Sequence, residues 1–133
     1  MQKRVDFLPR VWYSIITERE TNTQTEVLIM KTMKFVVTCG MFDGTTKKLE
    51  HDVSDVHAMV NNYIAQRFDG CSVFDCDGIY RHMDGTTVRE PSIRCEFIYT
   101  EKEKVLDFCK WYKKVMNQES VMFEAIEEDV DFI

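Results

Sequence analysis

No apolar run in the chain approaches the roughly 20 residues that a membrane-spanning helix needs. Basic residues are also short: 17 Lys and Arg stand against 23 Asp and Glu, a net charge of −6. A broad nucleic-acid-binding face is therefore not expected, because phosphate contacts need clustered cations. Lys102, Lys104, Lys110, Lys113 and Lys114 recur on one predicted helix, but that spacing reads as a solvated face. The five cysteines, Cys39, Cys71, Cys76, Cys95 and Cys109, show no CxxC pair and no zinc spacing with histidine. Four of them alternate with or replace small apolar residues, as buried free thiols do, which suits a reducing compartment. Asp6, Arg10 and Glu18 interrupt anything like a signal-peptide core after MQKR, so a cytoplasmic, membrane-free protein is expected. Nucleophile elbow, P-loop, HExxH and dinucleotide glycine turn are all missing. Asp75, Asp77 and Asp84 lack EF-hand spacing, so no metal is expected, and no cofactor either.

The chain has 133 residues, 44% of them apolar and 12% aromatic, a composition that supports one domain with a real core. Residues 11–17 (VWYSIIT) and 26–30 (EVLIM) flank a very polar stretch, the outline of a long-looped hairpin. Residues 1–32 read as an extension and 33–133 as the functional unit, with Met1, Met30 and Met33 all possible starts. Residues 34–42 (KFVVTCGMF) alternate Phe35, Val37, Cys39 and Met41 on one face of a strand. Ser54 is a candidate N-cap for a helix carrying Val56, Met59, Val60, Tyr63 and Ile64 inward, with His57 on its polar face. Residues 71–76 form a strand, Asp77-Gly78 suggests a hairpin turn into 79–82, and Asp84-Gly85 a second turn. A strand at 92–99 follows. Thr100 and Glu103 suggest a capping box for a helix with Val105, Leu106, Phe108, Cys109, Tyr112, Val115 and Met116 inward. A last strand lies at 121–126. This β-α-β-β-α-β order predicts a ferredoxin-like α+β sandwich, an antiparallel sheet with two helices on one face.

The polar run 75–92 (DCDGIYRHMDGTTVREPS) concentrates chemistry. Tyr80, Arg81, Arg89, Glu90 and Ser92 gather around the turns, and Gln118 and Ser120 arrive at the start of the last strand. These seven residues are the candidate ligand site. Arg81 and Arg89 would clamp a carboxylate or phosphate while Tyr80 stacks on a ring. The alternative is an arginine–carboxylate network that ties hairpin to sheet. A His82–Glu90 acid–base pair is conceivable, but no catalytic residue is assigned.

The blocks Arg67-Phe68, Gly70, Ser72-Val73, Asp75, Gly78, Tyr80-Arg81, Asp84-Gly85, Arg89-Glu90-Pro91-Ser92 and Gln118-Glu119-Ser120-Val121 resemble a bacterial family of small domains of unknown function, often found behind a lipoprotein signal. The resemblance spans residues 34 to 126. The chain departs from it at Tyr80, where the pattern has Trp, and in lacking the signal. The resemblance implies the fold and the site but no reaction.

Three functions remain open at this point. The first is a binding module for a small anionic or nucleotide-like ligand. The second is a protein-interaction or inhibitor protein of phage counter-defence type, which suits the acidic end at Glu127, Glu128, Asp129 and Asp131. The third is a dimeric ferredoxin-like enzyme. An open sheet face with Val, Phe and Tyr on it also predicts a homodimer or higher oligomer, unless the hairpin of residues 11–30 covers that face.

Overall fold

The structure is a computed structural model that describes residues 13–19, 26–81, 83–130 and 133. The elements run β1 (Tyr13–Arg19), β2 (Glu26–Gly40), α1 (Val53–Arg67), β3 (Cys71–Arg81), β4 (Thr87–Phe97), α2 (Lys102–Val115) and β5 (Met122–Val130). Every strand pairing is antiparallel. β5 takes one edge of β2 along residues 30–38. The other edge is shared end to end by β1, along 26–32, and β4, along 35–40. β3 closes the far side of β4. The core order β5-β2-β4-β3, with two crossover helices, is ferredoxin-like.

Alternation along the strands sends Phe35, Val37, Cys39, Ile93, Cys95 and Phe97 to the helical side, where all six are buried. They meet Val56, Val60 and Ile64 of α1, and Val105, Phe108, Cys109 and Tyr112 of α2. Full burial of each large side chain contributes about 1.5–3 kcal/mol. Phe97 and Phe108 meet edge-on at 5.4 Å, and Tyr63 stacks on Trp111 at 4.2 Å. Leu106 is half-buried and Val115 is exposed, so the inward stripe of α2 is narrower than its apolar residues suggest. All five cysteines are free thiols, with Cys39, Cys95 and Cys109 buried but Cys71 and Cys76 only partly so.

Several local readings need correction. Asp77-Gly78 makes no turn: both residues pair within the β3–β4 ladder, opposite Pro91 and Glu90. The single turn falls at 83–86, where Gly85 has φ +88° and Asp84 Oδ1 accepts the Thr86 N–H at 2.9 Å. Pro91 is tolerated inside β4 because its carbonyl takes the Met41 N–H just past the end of β2. Its missing N–H faces that same side, where the ladder stops. Asp52 caps α1, accepting the Ser54 N–H at 2.9 Å, and Ser54 lies inside the helix. Glu101 stands at the N-cap of α2 without a side-chain bond, and the Thr100 hydroxyl is buried with no partner. His57 is not left to solvent, because its Nε2 meets Asp75 Oδ1 on β3.

The hairpin strands run 13–19 and 26–32, and β2 passes unbroken through residues 32 and 33. β1 thus extends the sheet sideways instead of folding over its open face. Residues 1–12, 20–25, 82 and 131–132 lie outside the described residues, and with them the expected hairpin loop, the His82 member of the His82–Glu90 pair and Asp131 of the acidic end. Among the described residues, no helix is long and apolar enough to cross a membrane.

Candidate functional site

The face of the sheet away from the helices carries Thr38 and Gly40 on β2, Ser92 and Glu90 on β4, and Gly78 and Tyr80 on β3. At the end where β2 stops, the loops 42–47 and 118–120 rise beside these residues and enclose a cavity of about 360 Å³. Phe42, Asp43, Gly44, Lys47, Val88, Gln118, Glu119 and Ser120 complete its lining.

Glu90 is the centre of this wall. One carboxylate oxygen, Oε2, accepts the Phe42 N–H at 2.7 Å and lies 3.4 Å from Gln118 Nε2. Gln118 Nε2 also donates to the Phe42 carbonyl, so one amide holds both the loop and the carboxylate. Gly40 makes room for this arrangement. A Cβ there would lie 2.4 Å from the Glu90 carboxylate atoms. From the core side, the Tyr112 hydroxyl donates to the Gly40 carbonyl at 2.6 Å. Burial pushes the Tyr112 hydroxyl far above the usual phenol range, so it stays a donor. Gly78 makes a smaller allowance for Ser92: a Cβ there would lie 3.1 Å from the Ser92 hydroxyl, a tight contact that a small shift would relieve.

The loop over the cavity is tied by short polar bonds. Asp43 Oδ1 accepts the N–H groups of Thr45 at 2.8 Å and Thr46 at 3.0 Å, and the Asn117 side chain at 3.0 Å. These bonds hold the Asp43 carboxyl below its ordinary range, the Thr46 N–H first among them. Gly44 donates to the Asn117 carbonyl at 2.7 Å. Lys47 reaches across to Glu119 at 2.8 Å. That bond raises the lysine and lowers the glutamate from their usual values. The Tyr80 hydroxyl is pushed up, first by burial and then by the Glu90 charge.

Of the residues expected from the sequence, Tyr80, Glu90, Ser92, Gln118 and Ser120 line the cavity. Arg81 and Arg89 do not. Arg89 neighbours Glu90 in one strand and so stands on the opposite side of the ribbon, donating to Asp77 at 2.6 Å. Arg81 alternates with Tyr80 in the same way. The pairing of Arg89 with Asp77 is of the structural kind weighed above, but it does not include Glu90. Gly40, Phe42, Asp43, Lys47, Val88 and Glu119 were not singled out by sequence reasoning. Their only signals were a glycine at a strand end, a polar loop and membership of the block 118–121. No group of three or more metal-ligating side chains occurs among the described residues.

No protein-family model matches the chain. No curated protein matches it either. Among solved structures, a phage SAM lyase in complex with S-methyl-5'-thioadenosine shares the fold at a TM-score of 0.52. Identity is 22% over 74% of this chain and 88% of that one. A phage SAM lyase in the apo state gives a TM-score of 0.52 and 18% identity, covering 75% and 89%. At these identities the likeness is one of fold.

Proposed function

We propose that this protein binds S-adenosylmethionine in the Glu90 cavity and cleaves it as a lyase. The observation that carries the reading is the Glu90 carboxylate, fixed on the cavity wall beside the Tyr80 ring in a fold shared with a phage SAM lyase. A sulfonium is a permanent cation with no N–H to donate. It is recognised by a nearby carboxylate and by an aromatic face, and both line this cavity. Its volume falls within the range of small-molecule sites, roughly 300–1,000 Å³. The lining carries Asp43, Glu90 and Glu119 against Lys47. That balance favours a cationic nucleoside over the anionic ligand suggested by Arg81 and Arg89.

The chemistry follows from the ligand. Releasing methylthioadenosine breaks the bond between sulfur and the γ-carbon of the aminobutyryl chain, and its electron pair goes to sulfur. Without water, the γ-carbon is filled by the substrate's own carboxylate oxygen, which closes a five-membered lactone. The sulfonium and carboxylate charges cancel and no proton moves. The protein's task is then to bind the nucleoside and bend the chain so that oxygen meets carbon, a proximity effect. Titration calorimetry tests the binding step. S-adenosylmethionine and methylthioadenosine should bind with heat and saturation, and adenosine monophosphate, an anion, should bind more weakly than either. Tighter binding of the monophosphate would return the site to the anionic reading.

Self-association belongs to the same reading. Phe74, Tyr80, Met122 and Ile126 lie on the open sheet face and are each more than a third exposed. Light scattering on the purified protein at micromolar concentration should give a dimer or larger species. A monomer would mean that this face is left to solvent.

A further inference from the structure

We infer that Lys47 is the residue that selects ligands bearing an amino-acid head group, its ammonium taking the ligand's α-carboxylate in exchange for Glu119. The inference rests on the reading of the cavity as an S-adenosylmethionine site and names which part of the ligand this corner holds.

Four observations lead there. Lys47 is the only Lys or Arg among the described residues that line the cavity. Its position is imposed: Lys47 has φ +60°, a left-handed conformation that a lysine rarely adopts. The loop enforces it through the Lys47 N–H bond to the Asp43 carbonyl at 2.8 Å and through the clamp of Asp43 on Thr45 and Thr46. Such backbone geometry persists where surrounding bonds over-determine it. Third, the ammonium has a replaceable partner. The Lys47–Glu119 pair is 62% and 75% exposed, and pairs in that setting contribute little to stability. Fourth, Tyr80, Glu90 and Glu119 line the same cavity as Lys47.

An α-amino acid head group is itself an ion pair. Docked on Lys47 and Glu119, its carboxylate meets the ammonium and its ammonium meets the carboxylate, so the Lys47–Glu119 salt bridge is replaced by two. The sulfonium, three carbons away from Cα-bound groups along the same chain, is then placed toward Glu90 and Tyr80. The neutral product methylthioadenosine has no head group and no use for Lys47. The site would therefore hold substrate by both ends and product by one.

The test uses two unreactive probes, S-adenosylhomocysteine, which has the head group, and methylthioadenosine, which lacks it. Lys47→Met keeps most of the side-chain length without the charge, and Lys47→Arg keeps the charge. Calorimetry should show Lys47→Met weakening S-adenosylhomocysteine by about tenfold or more, the size of a charge-assisted bond. Methylthioadenosine should be unchanged within about twofold, and Lys47→Arg should recover most of the loss. Equal weakening of both probes, or of neither, overturns the assignment of Lys47 while leaving the proposed function standing. Failure of the unsubstituted protein to bind either probe overturns both.

Discussion

Glu90→Gln should give a folded protein that has lost most of its affinity for S-adenosylmethionine. Glutamine has the size and shape of glutamate, and its carbonyl oxygen can still accept the Phe42 N–H that Glu90 Oε2 now takes at 2.7 Å. The loop contact survives, so the thermal midpoint should move little. What disappears is the negative charge facing the ligand. Bonds and contacts to charged groups contribute about 1.5–3 kcal/mol, which corresponds to roughly 10–100-fold in affinity. Methylthioadenosine, which is neutral, should lose far less. Calorimetry with both ligands checks this. Equal affinities of Glu90→Gln and the unsubstituted protein for S-adenosylmethionine would remove Glu90 from the site.

Gly40→Ala should be damaging out of proportion to one methyl group. A Cβ at residue 40 lands 2.4 Å from Cδ, Oε1 and Oε2 of Glu90, so the whole carboxylate must leave its place. Gly40 has no positive φ among the described residues, so the glycine is needed for space and not for backbone freedom. Neither neighbour yields easily. Gly40 is pinned by the Tyr112 hydroxyl at 2.6 Å, and Glu90 by Phe42 and Gln118. Overpacking of this kind costs about 1–3 kcal/mol. Affinity for S-adenosylmethionine should fall at least as far as in Glu90→Gln. Chemical unfolding of Gly40→Ala, Glu90→Ala and the double variant tests the cause. With the carboxylate gone the new methyl has room, so the two losses should fall short of adding by about 0.5 kcal/mol or more. Simple additivity would place the damage elsewhere.

The ferredoxin-like order was legible because its elements are long and strongly periodic. The run 34–42 alternates cleanly, and both helices keep apolar residues at three- and four-residue spacing. The turn and the caps were not legible. Asp77-Gly78 has the composition of a tight turn, yet Cys71, Val73, Ile93 and Cys95 fix a register that carries β3 straight through it. Five of the fourteen residues lining the cavity could be found because Tyr80, Glu90, Ser92, Gln118 and Ser120 occupy compact polar blocks. The rest of the site joins Gly40 to Glu90 and Phe42 to Gln118, contacts that exist only once β2 lies beside β4. The arginines were misleading for a simpler reason. Alternation alone puts Arg89 and Glu90 on opposite sides of a strand, so both cannot face one ligand.

The most direct test of the account is to incubate the purified protein with S-adenosylmethionine in ¹⁸O-labelled water and follow the mixture by mass spectrometry, with a protein-free incubation as the control for spontaneous breakdown. The account predicts methylthioadenosine rising in step with the loss of S-adenosylmethionine, together with a lactone that carries no label. S-adenosylmethionine decaying no faster with the protein than without it would contradict it.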